Sequence, residues 1–296
     1  MQEENGNFIL LCVVGVLIAL ITFFIVKDMG KMDYDYLIHD EEEMLIMLTN
    51  AGEKYVTKIN FECTMNPTTF DYYEIFRRLI DRNYRVGCEI YGYYFDYTID
   101  NDNYKLKLVL QDPSVFKVFM SHQRVKSIAK KLDKLDSDYD KIKAAHDYLI
   151  ILNDYSADVC GAYNGLYSGK CACNGYAYSF YEIMKELNIP VTCEFGNEHV
   201  WNRVQLDNEW YNIDLTWDDI GDKNVSYDFF LKSDSDWLGH EHGGATALKS
   251  YEVTGNDALS NYYLIPNYKY ISVAVAFITV SMIIILIIIL KNRKYK

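Results

Sequence analysis

Apolar residues in this chain fall into two unbroken runs near the ends, with stretches of helical or strand spacing between them. Phe8 to Val26 and Ile271 to Leu290 are almost wholly Ile, Leu, Val, Phe and Ala and contain no charge. A helix crossing a bilayer needs about 20 such residues, whereas a helix in a soluble core keeps a polar face. The pattern therefore predicts transmembrane helices at 8–26 and 271–290. A cleaved signal peptide is the alternative for the first run. It is opposed by Glu3 and Glu4 ahead of the run, by the lack of a basic residue there, and by the absence of a small-x-small site before Lys27.

Between the runs the spacing predicts a small α+β region over 33–135. Its elements are a helix from Asp40 to Asn50 with Met44, Leu45 and Leu48 on one side, a strand over 55–63, and a helix from Phe70 to Asn83. Strands from Val86 to Ile99 and Tyr104 to Gln111 follow, and a helix runs from Pro113 to about Leu132. Asp100-Asn101-Asp102-Asn103, all tolerant of turn conformations, joins the two strands into a hairpin. A second domain is expected over 138–260. It opens with a helix at Asp138 that carries Ile142, Ala145, His146 and Leu149 at helical spacing.

Farther on, Tyr176, Phe180, Ile183, Met184 and Leu187 recur at the 3.6-residue period, and Pro190 stops them. Asn174 is the expected N-cap, which leaves Cys173 at the helix entrance. Two strand-like runs, 199–206 and 209–217, then flank Asp207-Asn208, a two-residue connection suited to a tight hairpin. Pairing Leu206 with Glu209 would set His199 across from Thr216 and Trp201 across from Asp214. His199 and Asp214 would then be diagonal neighbours about 7 to 8 Å apart at the backbone. Val200, Val204, Leu206, Tyr211, Ile213 and Leu215 would form the core face.

Composition narrows the picture. In 296 residues, 50% hydrophobic and 24% charged content marks a folded chain of one or two domains. A formal charge of −13 and no stripe of Lys or Arg exclude a nucleic-acid partner, since binding a polyanion depends on counterion release by clustered cations. Tyrosine runs such as Tyr91, Tyr93, Tyr94 and Tyr97 have strand spacing and read mostly as sheet residues rather than stacking platforms. Lys291, Arg293, Lys294 and Lys296 form a basic tail directly after the second run, which favours a cytoplasmic location for both termini. The expected placement is thus the cell membrane, with 27–270 outside.

The seven cysteines form neither a dense disulfide framework nor zinc-ligand spacing, although Cys63 and Cys88 could pair outside a cell. Cys171-Ala172-Cys173 is a CxC, unlike a thioredoxin or zinc motif. Cys173 differs from the others in its place at a helix start, where the dipole and unpaired N–H groups favour a thiolate. Together with an imidazole on a strand and a carboxylate beside it, this makes Cys173, His199 and Asp214 a candidate Cys-His-Asp triad. The Cys173 N–H is the natural first donor to an oxyanion. His240-Glu241-His242 has the spacing of a metal pair but no evident third ligand, and Gly243-Gly244 reads as a loop. Asp218, Asp219 and Asp222 around Gly221 read as a solvated turn. No cofactor or metal is expected.

The segments Gly169-Lys170-Cys171-Ala172-Cys173-Asn174-Gly175-Tyr176-Ala177, His199-Val200-Trp201-Asn202 and Trp210 to Asp219 resemble the transglutaminase-like superfamily in order and spacing, over about 138–235. The resemblance implies a papain-like α+β core, with a Cys-bearing helix packed on an antiparallel sheet. It also implies Cys173 as nucleophile, His199 as general base and Asp214 as the orienting acid. The 33–135 region is similar to the variable front part of membrane-attached bacterial members. Members of the family join a glutamine side chain to an amine, hydrolyse peptide or amide bonds, or have lost activity. The expectation is therefore a membrane-anchored acyltransferase acting on protein or peptide amides, with a cysteine protease or amidase, or a catalytically silent surface binding module, as the alternatives.

Overall fold

The computed structural model describes residues 31–254, apart from 55, 57, 91, 112–114, 197 and 241–242. The apolar runs at 8–26 and 271–290 and the tail at 291–296 lie outside these residues. Among the described residues no helix is long and apolar enough to cross a membrane.

The first sheet holds β1 (Lys31–Ile38), β2 (Lys58–Cys63), β3 (Gly92–Asp100) and β4 (Asn103–Gln111) in the order β1-β2-β4-β3. β1 pairs parallel to β2, and the other pairs are antiparallel. The hairpin turn sits where Asn101 and Asp102 take positive φ, with Asp100 opposite Asn103. α1 (Glu41–Glu53) connects β1 to β2. Asp40 caps it by accepting from the Glu43 N–H at 2.8 Å, while the Glu43 side chain accepts from the His39 N–H at 2.7 Å. α2 (Tyr72–Arg82) and the short α3 (Tyr84–Gly87) follow β2. Ile38, Met44, Leu45, Leu48, Ile59, Phe61, Leu79 and Leu108 form the core of this half.

Two expectations change here. β1 is a strand that the sequence pattern did not predict, and residues 84–87 are a helical turn where a strand from Val86 was expected. Gly87 explains the second. A Cβ there would meet the Ile80 Cα at 2.9 Å, so the chain folds back onto α2 instead of extending.

The second half comprises α4 (Val115–Leu132), α5 (Asp138–Leu152), α6 (Ala162–Tyr167), α7 (Cys173–Glu186), β5 (Val191–Gly196), β6 (His199–Leu206), β7 (Glu209–Ile213) and α8 (Leu215–Asp218). Its antiparallel sheet has the order β5-β6-β7. The core draws Val125, Ile128 and Leu132 from α4, Ile142 and Leu149 from α5, Phe180, Ile183 and Met184 from α7, and Val204 and Ile213 from the sheet. α4 thus packs into this core although it precedes residue 135. α7 is the central helix. Periodicity predicts one apolar face, yet every residue from 175 to 184 is buried, because α4, α5 and α6 cover what the sheet leaves open.

All six described cysteines are free thiols. Cys63 lies in the first core and Cys88 in the second, so they do not pair.

A candidate thiol active site

Cys173 is the first residue of α7, which begins two positions earlier than an Asn174 cap would have made it. The N-cap is Ala172. Asn174 serves elsewhere, since its Oδ1 accepts from the Gly161 N–H at 3.1 Å and so ties the helix start to the loop ahead of α6. The chain before Cys173 is anchored by Cys171 N–H to Asp154 O at 3.1 Å, Ser156 N–H to Cys171 O at 2.9 Å and Ala172 N–H to Val159 O at 2.8 Å. As the first helical residue, Cys173 has no carbonyl within the helix for its own N–H to bond.

Cys171 is fully buried, and burial pushes its thiol well above the ordinary range. It is a packing residue. It also accounts for the glycine of the motif, since a Cβ on Gly175 would lie 2.4 Å from Cys171 Cβ and 2.9 Å from its sulfur.

The hairpin that carries His199 has the expected register, with Leu206 opposite Glu209 and positive φ at Asp207 and Asn208. The pairing does not extend to residue 216. β7 ends at Ile213 and Asp214 becomes the N-cap of α8, while His199 pairs with Gly196 of β5. His199 and Asp214 nevertheless meet, because the chain turns at Asp214 and aims its carboxylate back over β6. Asp214 Oδ2 lies 2.7 Å from His199 Nε2, and Oδ1 accepts from the N–H groups of Thr216 at 2.8 Å and Trp217 at 3.3 Å. The carboxylate is 1% exposed. Burial alone would favour its neutral form, but hydrogen bonds from His199 and His240 outweigh that and hold it below its ordinary value.

An ionised carboxylate only accepts, so His199 carries a proton on Nε2. In the neutral ring the lone pair is then on Nδ1, the nitrogen left to serve the Cys173 thiol, whose interaction with this ring favours its charged form. Burial disfavours the charged ring, but Asp214 and Cys173 outweigh it and push His199 up to about 9. Trp201 and Trp217 stack on the imidazole at 5.8 and 5.9 Å between ring centres.

His240 is the residue that sequence reasoning missed. Its Nε2 lies 2.9 Å from the same Asp214 Oδ2. The His-Glu-His spacing singles it out, but no local pattern shows that residue 240 returns to residue 214. His199, Asp214 and His240 are the single group found among the described residues whose three ligand atoms lie within 4.8 Å of one another. Their atoms face one another at hydrogen-bond distance around a saturated carboxylate, and no metal role is assigned to them.

The aspartates after Trp217 do not form a solvated turn. Asp218 is buried, holding His146 Nε2 at 3.1 Å and the Phe229 N–H at 2.9 Å, and Asp219 accepts from the Tyr176 hydroxyl at 2.6 Å. Asp222 alone of the three is exposed without such a role.

No family model and no curated protein matches the chain. Among solved structures it is similar to a protein described as a TGase, at 14% identity and a TM-score of 0.31, with 60% of this chain and 58% of that one covered. It is also similar to a putative cysteine protease from Cytophaga hutchinsonii, at 11% identity and a TM-score of 0.29, with 43% of this chain and 65% of the other covered. The chain thus spans less than two thirds of each.

Proposed function

We propose that this protein is a transglutaminase-like thiol enzyme that transfers the acyl group of a protein or peptide amide through a thioester on Cys173. The supporting observation is the pairing in which a buried, ionised Asp214 fixes the proton of His199 on Nε2, while Cys173 at the start of α7 interacts with the same ring and favours its charged form. In the first half-reaction Nδ1 takes the thiol proton and the sulfur attacks the amide carbon. The oxyanion forms beside the Cys173 N–H, and the C–N bond breaks as the imidazolium returns its proton to the departing amine. In the second, an amine or water gives its proton to the same nitrogen and displaces the sulfur. The acceptor decides between crosslinking and hydrolysis.

The purified full-length protein, given a glutamine-containing peptide and a primary-amine probe, should either incorporate the probe or release the free acid. Cys173→Ala should remove both. Turnover that survives this substitution, or its absence together with no His199-dependent reactivity of Cys173 toward iodoacetamide, overturns the proposal.

We also propose that the two apolar runs and the basic tail tether this domain to the outer face of a cell membrane. Protease treatment of intact cells should then remove 27–270, and survival of that region would reverse the orientation.

A further inference from the structure

His240 takes no part in the chemistry just described, yet considerable structure is devoted to holding it. Its side chain is 2% exposed. The ring lies between Trp237, stacked at 4.2 Å, and Trp217, tilted at 4.2 Å, with the edge of Trp201 at 4.6 Å. The segment that carries it is clamped at both ends. Asp234 Oδ1 accepts from Asn212 Nδ2 of β7 at 2.7 Å and from the N–H groups of Gly244 at 2.8 Å and Ala245 at 2.9 Å. Arg203 Nη1 of β6 donates to Gly244 O at 2.9 Å. The glycines permit this closure, since a Cβ on Gly243 would come within 2.0 Å of Asp234 Oδ1 and one on Gly244 within 2.3 Å of Arg203 Nη1.

If the cage only needed filling, a phenyl ring would serve. Instead it presents an imidazole nitrogen to the carboxylate that orients the base. A carboxylate has about four acceptor positions, and Asp214 uses them all: two backbone N–H groups on Oδ1, two imidazoles on Oδ2. The Oδ1 bonds already fix the side chain in place. The His240 bond therefore acts on charge, because it shares the oxygen that His199 feels.

We propose that His240 is a positioning residue of the Cys173 centre: its Nε2–H shares Asp214 Oδ2 with His199 and sets the pH range over which the thiolate and imidazolium coexist. This rests on the thiol-enzyme reading of the site. The titratable groups facing the cluster are Cys173 from α7, with Tyr155 and Cys160 on its outer side, Asp214 at the start of α8, and, behind them, Asp218 from α8 with His146 from α5. Withdrawing the His240 proton donor leaves the Asp214 charge less compensated. A more negative field makes the thiolate harder to form and the imidazolium harder to deprotonate, so both limbs of the reactivity profile move to higher pH.

The test is the rate of Cys173 alkylation by iodoacetamide against pH, read by mass spectrometry of the Cys173 peptide from the full-length protein. Four forms are compared: wild type, His240→Phe, His240→Gln and His199→Ala. His240→Phe keeps the aromatic cage filled and should raise both limbs by about one pH unit, the size of a hydrogen bond to a charged group. His240→Gln keeps a donor and should stay within about 0.3 unit of wild type, a rescue that a purely structural role would not produce. Superimposable profiles for wild type and His240→Phe, or a His240→Gln profile displaced as far as that of His240→Phe, overturn the inference and leave the thiol-enzyme reading standing. If instead His199→Ala has the wild-type profile, the Cys173–His199 reading itself fails, and this inference with it.

Discussion

At Asp214 four donors converge on one buried carboxylate, and the chemistry of the neighbouring residues follows from that saturation. An amide in its place would have to turn an NH2 group toward donors that already point inward, which drives His199 into the tautomer with no lone pair for the thiol. Asp214→Asn should therefore lower the amide turnover rate by about 10^3- to 10^4-fold, a smaller loss than His199→Ala, as measured by steady-state kinetics of the two variants. Because His199 is pushed up to about 9, its imidazolium should persist through neutral pH and be lost above about pH 9, as an NMR titration of the His199 ring would show. A ring that loses its proton near about pH 6.5 would contradict the hold of Asp214 on it. The two cysteines of the CxC should behave oppositely. Cys173→Ala removes labelling by a thiol-directed electrophile, whereas Cys171→Ala does not, since the Cys171 thiol is buried and held protonated.

Among the elements, α7 and the β6–β7 hairpin set the geometry. A methyl added at Gly175 would strike the Cβ of Cys171, an atom that alanine retains. Gly175→Ala is thus expected to cost about 2 to 3 kcal/mol in urea unfolding, and the double variant with Cys171→Ala should recover little of it. Recovery to wild-type stability would mean that the sulfur, and not the close backbone approach, makes the glycine necessary. In the hairpin, Asp207 and Asn208 both have positive φ, the type I′ arrangement in which glycine is favoured at the second position. Asn208→Gly should stabilise the protein by about 0.5 kcal/mol without altering labelling of Cys173. The hairpin was legible because a two-residue Asp-Asn turn leaves few registers open. Its far end was not, since strand composition persists through Trp217 although the ladder stops at Ile213. The capping bonds of Asp214 to Thr216 and Trp217 take over there.

Across the whole molecule, buried charge makes stability depend on pH. His146, fully buried, lies between Asp147 at 2.9 Å and Asp218 at 3.1 Å; burial opposes its charge, but the two carboxylates prevail and its pKa is raised. The resulting stabilisation is complete below the unfolded value of about 6.5 and is lost as pH rises through the folded one. Glu182 on α7 is buried with neither oxygen hydrogen-bonded, and burial holds it neutral far above the usual carboxylate range. The unfolded chain ionises this group above about pH 4.3 while the fold does not, so stability falls with rising pH by up to about 1.4 kcal/mol per unit. On the acid side, Asp147 and Asp214 are depressed, and their contribution disappears as pH falls through their folded values. Unfolding free energy should therefore peak near about pH 4, between the loss of the depressed aspartates on the acid side and the ionisation of Glu182 in the unfolded chain, as urea titrations across pH would show. Glu182→Met should stabilise the protein more at pH 8 than at pH 5, and an equal gain at both would mean the carboxyl is not kept neutral.

Local order was enough to place Cys173 at a helix start, His199 on a strand and Asp214 in the segment after a tight hairpin, because helix period, turn chemistry and a two-residue loop are properties of neighbours in the chain. The burial of α7 on all sides, the end of β7 at Ile213 and the packing of α4 into the second core were decided by distant segments, whose arrival no periodicity records. The same holds for His240. Its tryptophan neighbours at 201, 217 and 237, its clamped loop and its bond to Asp214 exist only once β6 and β7 are assembled, and a hydrogen bond between residues 26 positions apart leaves no mark on the spacing of either.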